Sequence, residues 1–118
     1  MSEREVQRAI LGYLCARRIL AFRMQTGAHV AENKGRQRLI RYGAPGMADV
    51  LAFPLTAVGA GGVVIEGIMP LWIECKSAKG QQTPAQLSFQ KIVEDNGHAY
   101  IVARSIDDVE KWLKERGA

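Results

Sequence analysis

The chain has 118 residues, enough for one domain around a single core, and 47% of them are hydrophobic and 24% charged. That is globular usage, and it excludes wholesale disorder. Sixteen Lys and Arg against twelve Asp and Glu leave a net charge of +4, too mild to imply a nucleic acid partner without support from its distribution.

No run of about 18 apolar residues occurs. The nearest, Pro54 to Ile73, is broken by Pro54, Pro70, several glycines and Glu66, so no membrane association is expected. Met1-Ser2-Glu3-Arg4-Glu5 opens with mixed charge, unlike a secretory leader. Cys15 and Cys75 are far apart, with no Cys-x-x-Cys and no matching histidine pair, which offers neither a zinc finger nor a disulfide framework. The expectation is an intracellular, cytoplasmic protein with reduced thiols, forming one domain over residues 1–118.

In chain order, Ser2 followed by Glu5 forms a capping box, and Val6, Ile10 and Tyr13/Leu14 recur at helical spacing, so a helix is predicted to run to about Arg18. Ile19 to Met24 reads as a short strand, residues 27–36 as a loop, and Gln37 to Tyr42 as a strand. Gly43-Ala44-Pro45-Gly46 is a turn leading into a strand over Ala48 to Phe53. Gly59 to Gly62 is a break. Val63–Ile65 and Leu71–Cys75 are read as a hairpin or bent pair whose later arm carries Glu74. Lys76 to Gln82 is a polar connector. Thr83, with Pro84 at the first helical position and Gln86 at the capping-box position, opens a helix that Asn96-Gly97 closes. A strand over Ala99–Ala103 and a helix over Ile106–Arg116, capped by Ser105 and ended by Gly117, complete the chain. The order predicts an α/β fold with a mixed central sheet flanked by helices.

Asp49 and Glu74-Cys75-Lys76 stand out. Side chains alternate along a strand, so Glu74 and Lys76 share one face while Ile73 and Cys75 pack into the core. Asp49 opens an otherwise apolar strand, where a carboxylate is costly unless paired or bound to metal. Two carboxylates and a lysine suit a hard divalent cation and a phosphodiester. The bland alternative for Glu74 and Lys76 is an exposed strand edge with alternating charge.

These residues resemble the PD-(D/E)xK nuclease superfamily, and within it the virus-type replication-repair nuclease (VRR-NUC) family. The resemblance is carried by Glu3-x-x-x-Gln7, Arg23-Met24-Gln25-Thr26-Gly27, Gly46-Met47-Ala48-Asp49, Glu74-Cys75-Lys76 and Thr83-Pro84-Ala85-Gln86, followed by Gly97 and a last strand. It spans nearly the whole chain in order. Ala48 stands where proline is frequent, and Gln82 where an apolar residue often precedes the threonine.

The resemblance implies a restriction-endonuclease-like core and an Mg²⁺- or Mn²⁺-dependent endodeoxyribonuclease. Its substrate would be branched DNA such as Holliday junctions or flaps, and its products 5′-phosphate and 3′-hydroxyl ends. The catalytic set it implies is Glu3, Asp49, Glu74, Lys76 and Gln86. The metal ligands would be Asp49, Glu74, Glu3 and the Cys75 backbone carbonyl. Glu5 rivals Glu3 as the acid of the first helix, but Glu3 lies on the stripe of Val6 and Ile10 whereas Glu5 is engaged with Ser2. Gln7, one turn beyond Glu3, reaches the same region. Gln86 is read both as a helix cap and as a site residue, with Gln90 a weaker site candidate.

DNA contacts are placed on the acid-free cluster Lys34, Arg36, Arg38 and Arg41, and on Lys79. His29 and His98 are read as a loop and a strand-entry histidine, Trp72 as a core or dimer contact, and both cysteines as buried apolar residues. The segment Pro54 to Pro70 is either a homodimer contact or an intramolecular hairpin. The resemblance also fits a phage or prophage origin. Two other readings stay open: a DNA-binding module that does not cut, and a restriction-type nuclease that reads sequence.

Overall fold

The computed structural model describes residues 1–25, 27–42 and 44–118, with the side chains of 27–31, 33 and 38–42 outside the described set. Helix α1 (Glu3–Ala16) begins on the predicted capping box: Ser2 accepts from the Glu5 amide, and Glu5 accepts from the Ser2 amide. Its stripe Val6, Ile10, Leu14 is fully buried. The strands β1 (Ala21–Arg23), β4 (Val50–Ala52), β7 (Leu71–Cys75) and β8 (Ala99–Ala103) form a four-stranded sheet in the order β1-β4-β7-β8. Only the β7–β8 pair is parallel, so the sheet is mixed. Helices α2 (Pro84–Asp95) and α3 (Ile106–Glu115) complete a mixed α and β architecture.

The two faces of the sheet bury different layers. Ile73, Cys75, Val50 and Ala52 pack with α1 and with Val109, Trp112 and Leu113 of α3. Trp72, Tyr100 and Val102, pointing the other way, pack with Phe89 and Val93 of α2 and with Ala48. Among the described residues, no helix is long and apolar enough to cross a membrane.

Several elements differ from the expectation. Residues 27–36, read as a loop, hold β2 (Gly27–Asn33), which pairs antiparallel with β3 (Arg36–Tyr42). Lys34 and Gly35 both have positive φ (53° and 75°), the two-residue turn that matches strand twist. Pairing here is a main-chain property, which a polar sequence conceals. His29 therefore sits in a strand, with its side chain outside the described set.

Over Pro54 to Pro70 the structure has the intramolecular hairpin, and only the expected pairing of Val63–Ile65 with Leu71–Cys75 differs. β6 (Val63–Ile68) pairs with β5 (Leu55–Ala60) rather than with β7. Gly61 and Gly62, both at positive φ, close arms of equal length, and Pro70 separates β6 from β7. Ser105 occupies the N-cap of α3 but makes no side-chain cap bond; instead Asp108 accepts from the Arg104 amide. Cys15 is exposed, one position off the buried stripe of α1. Of the predicted 43–46 turn, Gly43 lies outside the described residues, while the Met47 amide donates to the Ala44 carbonyl.

Candidate active site

Val50 pairs with Ile73, so one step further along the antiparallel register Asp49 falls directly opposite Glu74, on the α2 face of the sheet. Like charges directly opposite are destabilising, and this pair is half sequestered from water: Glu74 is 2% exposed and Asp49 is half-buried. Asp49 Oδ2 accepts from the Cys75 amide at 2.8 Å, a main-chain donor that the short β4 leaves without a ladder partner. Gln86 Nε2 donates to Glu74 Oε1 at 3.0 Å, and Glu74 Oε2 is buried without any donor.

Burial is the main cause that pushes the Glu74 carboxyl up to about 8. The Asp49 charge opposite adds to it, against the opposing pull of Lys76. The same burial, with the Asp49 and Glu74 charges behind it, pushes the Cys75 thiol up to about 12, so Cys75 is an inert core group. Lys76, 5% exposed, lies just past the end of β7 and sends its Nζ to Glu3 Oε1 at 3.7 Å. Glu5 stays with Ser2, and its pKa is lowered by the Ser2 hydrogen bonds. Of the two first-helix acids, Glu3 is the one that reaches Lys76.

Two glycines make this convergence possible. Gly46 has φ +73°, and a Cβ there would sit 2.2 Å from the Ala85 carbonyl oxygen. The first turn of α2 lies directly on the Gly46 turn, which delivers Gln86 to Glu74. Thr83 accepts from the Gln86 amide, and the Gln86 side chain in turn accepts from the Thr83 amide, so cap and site roles coexist in one residue. A Cβ at Gly80 would lie 3.2 Å from Glu3 Oε1 and 3.3 Å from Lys76 Cδ, so the connector closes over the Glu3–Lys76 pair.

The chain matches no family model, no curated protein and no solved structure.

The structure thus brings Asp49, Glu74, Lys76, Gln86 and Glu3 together. It does not bring three acidic ligands to one point. Glu3 turns to Lys76, and among the described residues no group of three His, Cys, Asp or Glu side chains converges as a ready metal cage. What the site offers a cation is the Asp49–Glu74 pair and the main chain. N–H and C=O of one strand residue point to the same neighbour, so the Cys75 carbonyl faces the Asp49 side with its amide. Two adjacent carboxylates, one with an orphaned buried oxygen, fit a hard divalent cation.

Gln90 does not reach the carboxylates: it accepts from Gln82 Nε2, which also reaches the Tyr100 hydroxyl. His98 accepts from Trp72 Nε1, and Trp72 packs edge-on against Phe89 at 5.0 Å; both are structural. Lys34 and Arg36 are exposed at the turn of the β2–β3 hairpin and Lys79 is exposed on the connector, whereas the Arg38 and Arg41 side chains lie outside the described set.

Sequence reasoning missed Arg104, which donates to the carbonyls of Ser77, Ala78 and Gly80. No local motif links these residues, since the contacts span more than twenty positions of chain.

Proposed function

We propose that this chain is a metal-dependent DNA endonuclease on a PD-(D/E)xK core, of the VRR-NUC type that its motifs resemble. The observation that carries the reading is the Asp49–Glu74 pair, held face to face with an unsatisfied Glu74 oxygen and a buried lysine next to it. Two acids in register inside a sheet are costly as a charged pair, and a bound cation offsets that cost.

Asp49, Glu74 and the Cys75 carbonyl would hold Mg²⁺ or Mn²⁺. When bound, the cation supplies Lewis-acid polarisation of the scissile phosphate. The other parts are the chain's own. Gln86 holds Glu74 Oε1 and leaves Oε2 turned to the site. Lys76 Nζ, positioned by Glu3, would supply a positive charge and N–H donors to the attacking water and to the negative charge that builds on the phosphoryl oxygens. Burial of Lys76 restricts its motion, so that donor is in place before substrate arrives.

Branched DNA as substrate and a homodimer as working unit rest on the same resemblance. Apolar residues exposed on both faces of β5 and β6 supply a surface suited to a second copy.

The test is cleavage of labelled four-way junction, flap and plain duplex DNA in Mg²⁺, Mn²⁺ and EDTA, with Asp49→Asn as control. The expected outcome is metal-dependent cutting of a branched substrate, lost by about 10³-fold or more in the variant. Near-wild-type cutting by Asp49→Asn refutes the assignment. Tight binding without cutting in either metal points to a binding module.

A further inference from the structure

Helix α1 carries a second stripe beside its buried one. Arg4, Arg8 and Leu11 follow each other at helical spacing, with Gln7 at the border of the two stripes. Arg4 and Arg8 are exposed, and with Gln7 and with Arg23 of the edge strand β1 they line a cleft of about 400 Å³. Gln7 and Arg23 also line a second hollow of about 310 Å³, which Gln25 and Asp49 complete. The two hollows meet at Gln7 and Arg23, which line both and join the Asp49 hollow to the Arg4–Arg8 cleft along one wall. Among the described residues, none of the three guanidinium groups is paired with a carboxylate. Glu5, the acid nearest Arg8 along the helix, is occupied by Ser2.

Three guanidinium groups that make no salt bridge among the described residues gather along one wall, in a chain of only +4. Their forked donors match phosphate oxygens, and Arg4 and Arg8, one helical turn apart, present two forks in a row. An acidic peptide entering this groove would meet the Asp49 carboxylate at its end with nothing to bridge the two. A phosphodiester reaches the same carboxylate through the divalent cation it fits. We propose that the Arg4–Arg8–Arg23 groove is the track of the substrate strand, binding its phosphodiester backbone on one side of the scissile phosphate. This inference rests on the nuclease reading of the Asp49–Glu74 site. It moves the main phosphate contacts from the β2–β3 turn to the α1–β1 wall.

The test uses the full chain carrying Asp49→Asn, so that DNA survives the measurement. Anisotropy of a labelled four-way junction and of a single strand is followed over a salt series. The parent is compared with Arg4→Ala/Arg8→Ala/Arg23→Ala, with the charge-keeping Arg→Lys triple, and with Lys34→Ala/Arg36→Ala. In parallel, each set is made in the wild-type background and assayed for cleavage. The alanine triple should weaken binding about 30-fold near 0.1 M salt and flatten the log–log salt slope by about 2 to 3. The lysine triple should regain most of the slope, and the hairpin double should change affinity less than about threefold. The substituted side chains are exposed, and an unchanged thermal melt verifies the fold.

An alanine triple that binds within about threefold of the parent, with its slope intact, overturns the inference even where the wild-type chain cuts DNA. Groove-dependent binding by a chain that cuts nothing upholds the groove and overturns the nuclease reading. No binding by the parent overturns both.

Discussion

Glu74 is the residue on which stability and chemistry meet. Its carboxyl holds a proton up to about 8 in the folded chain, against an ordinary value of 4.5, so the folded state binds one more proton than the unfolded state between those limits. Stability from this group is complete below about 4.5 and is lost as the pH climbs to about 8. In EDTA, the wild-type melting temperature should therefore fall by about 5–10 °C relative to that of Glu74→Gln between pH 5 and pH 8. Parallel profiles in calorimetry would show that the register pair carries no such strain. The same substitution should abolish metal-dependent cutting, so the variant gains stability as it loses activity. The pairing of Asp49 with Glu74 was legible in part: strand alternation put Glu74 and Lys76 together, and an acid at the head of an apolar strand was suspect. What sequence could not carry was the depth of the pair, since burial depends on α2 closing over it.

At the scale of elements, the site depends on how α2 is seated. The α2 main chain rests on Gly46, which has no room for a Cβ and a φ that side chains avoid. Gly46→Ala should lower unfolding free energy by about 2 to 4 kcal/mol in a denaturant titration. It should also cut activity beyond what that loss explains, because Gln86 moves away from Glu74. A fully stable Gly46→Ala chain would show that the contact yields easily. Elements with strong local signals were readable from the chain: the capping boxes at Ser2 and Thr83, proline at the first turn of α2, and glycine past the ends of α2 and α3. Strands paired by the main chain alone were not. β2 is polar, and over Pro54 to Pro70 an intramolecular hairpin and a dimer contact read equally well, while Val63–Ile65 also read as a partner of β7. In both cases the readable clue was a two-residue turn at positive φ, Lys34-Gly35 and Gly61-Gly62.

The molecule measures 65 × 30 × 28 Å with a radius of gyration of 16.8 Å, against about 13.5 Å for a compact domain of this length. Each of the hairpins β2–β3 and β5–β6 forms its own two-stranded sheet outside the four-stranded one. A hairpin alone is marginal in water, and β6 exposes Val63, Val64, Ile65 and Ile68 by 57% or more. Sedimentation at micromolar concentration should give a dimer, and Val64→Lys with Ile65→Lys should convert it to monomer without lowering the melt of the core. A wild-type chain that sediments as a monomer would remove the second copy from the account. The chain also differs from place to place in the freedom of its length. The hairpin turns tolerate added residues, since each doubling of a loop costs only about 0.6 kcal/mol. The Ser77–Gly80 connector does not. Arg104 holds it by carbonyl oxygens alone, so that hold does not depend on which side chains stand at Ser77, Ala78 and Lys79. A single inserted residue, whatever its identity, would carry those carbonyls out of reach and lift Gly80 from Lys76. For that hold, spelling is open and letter count is closed.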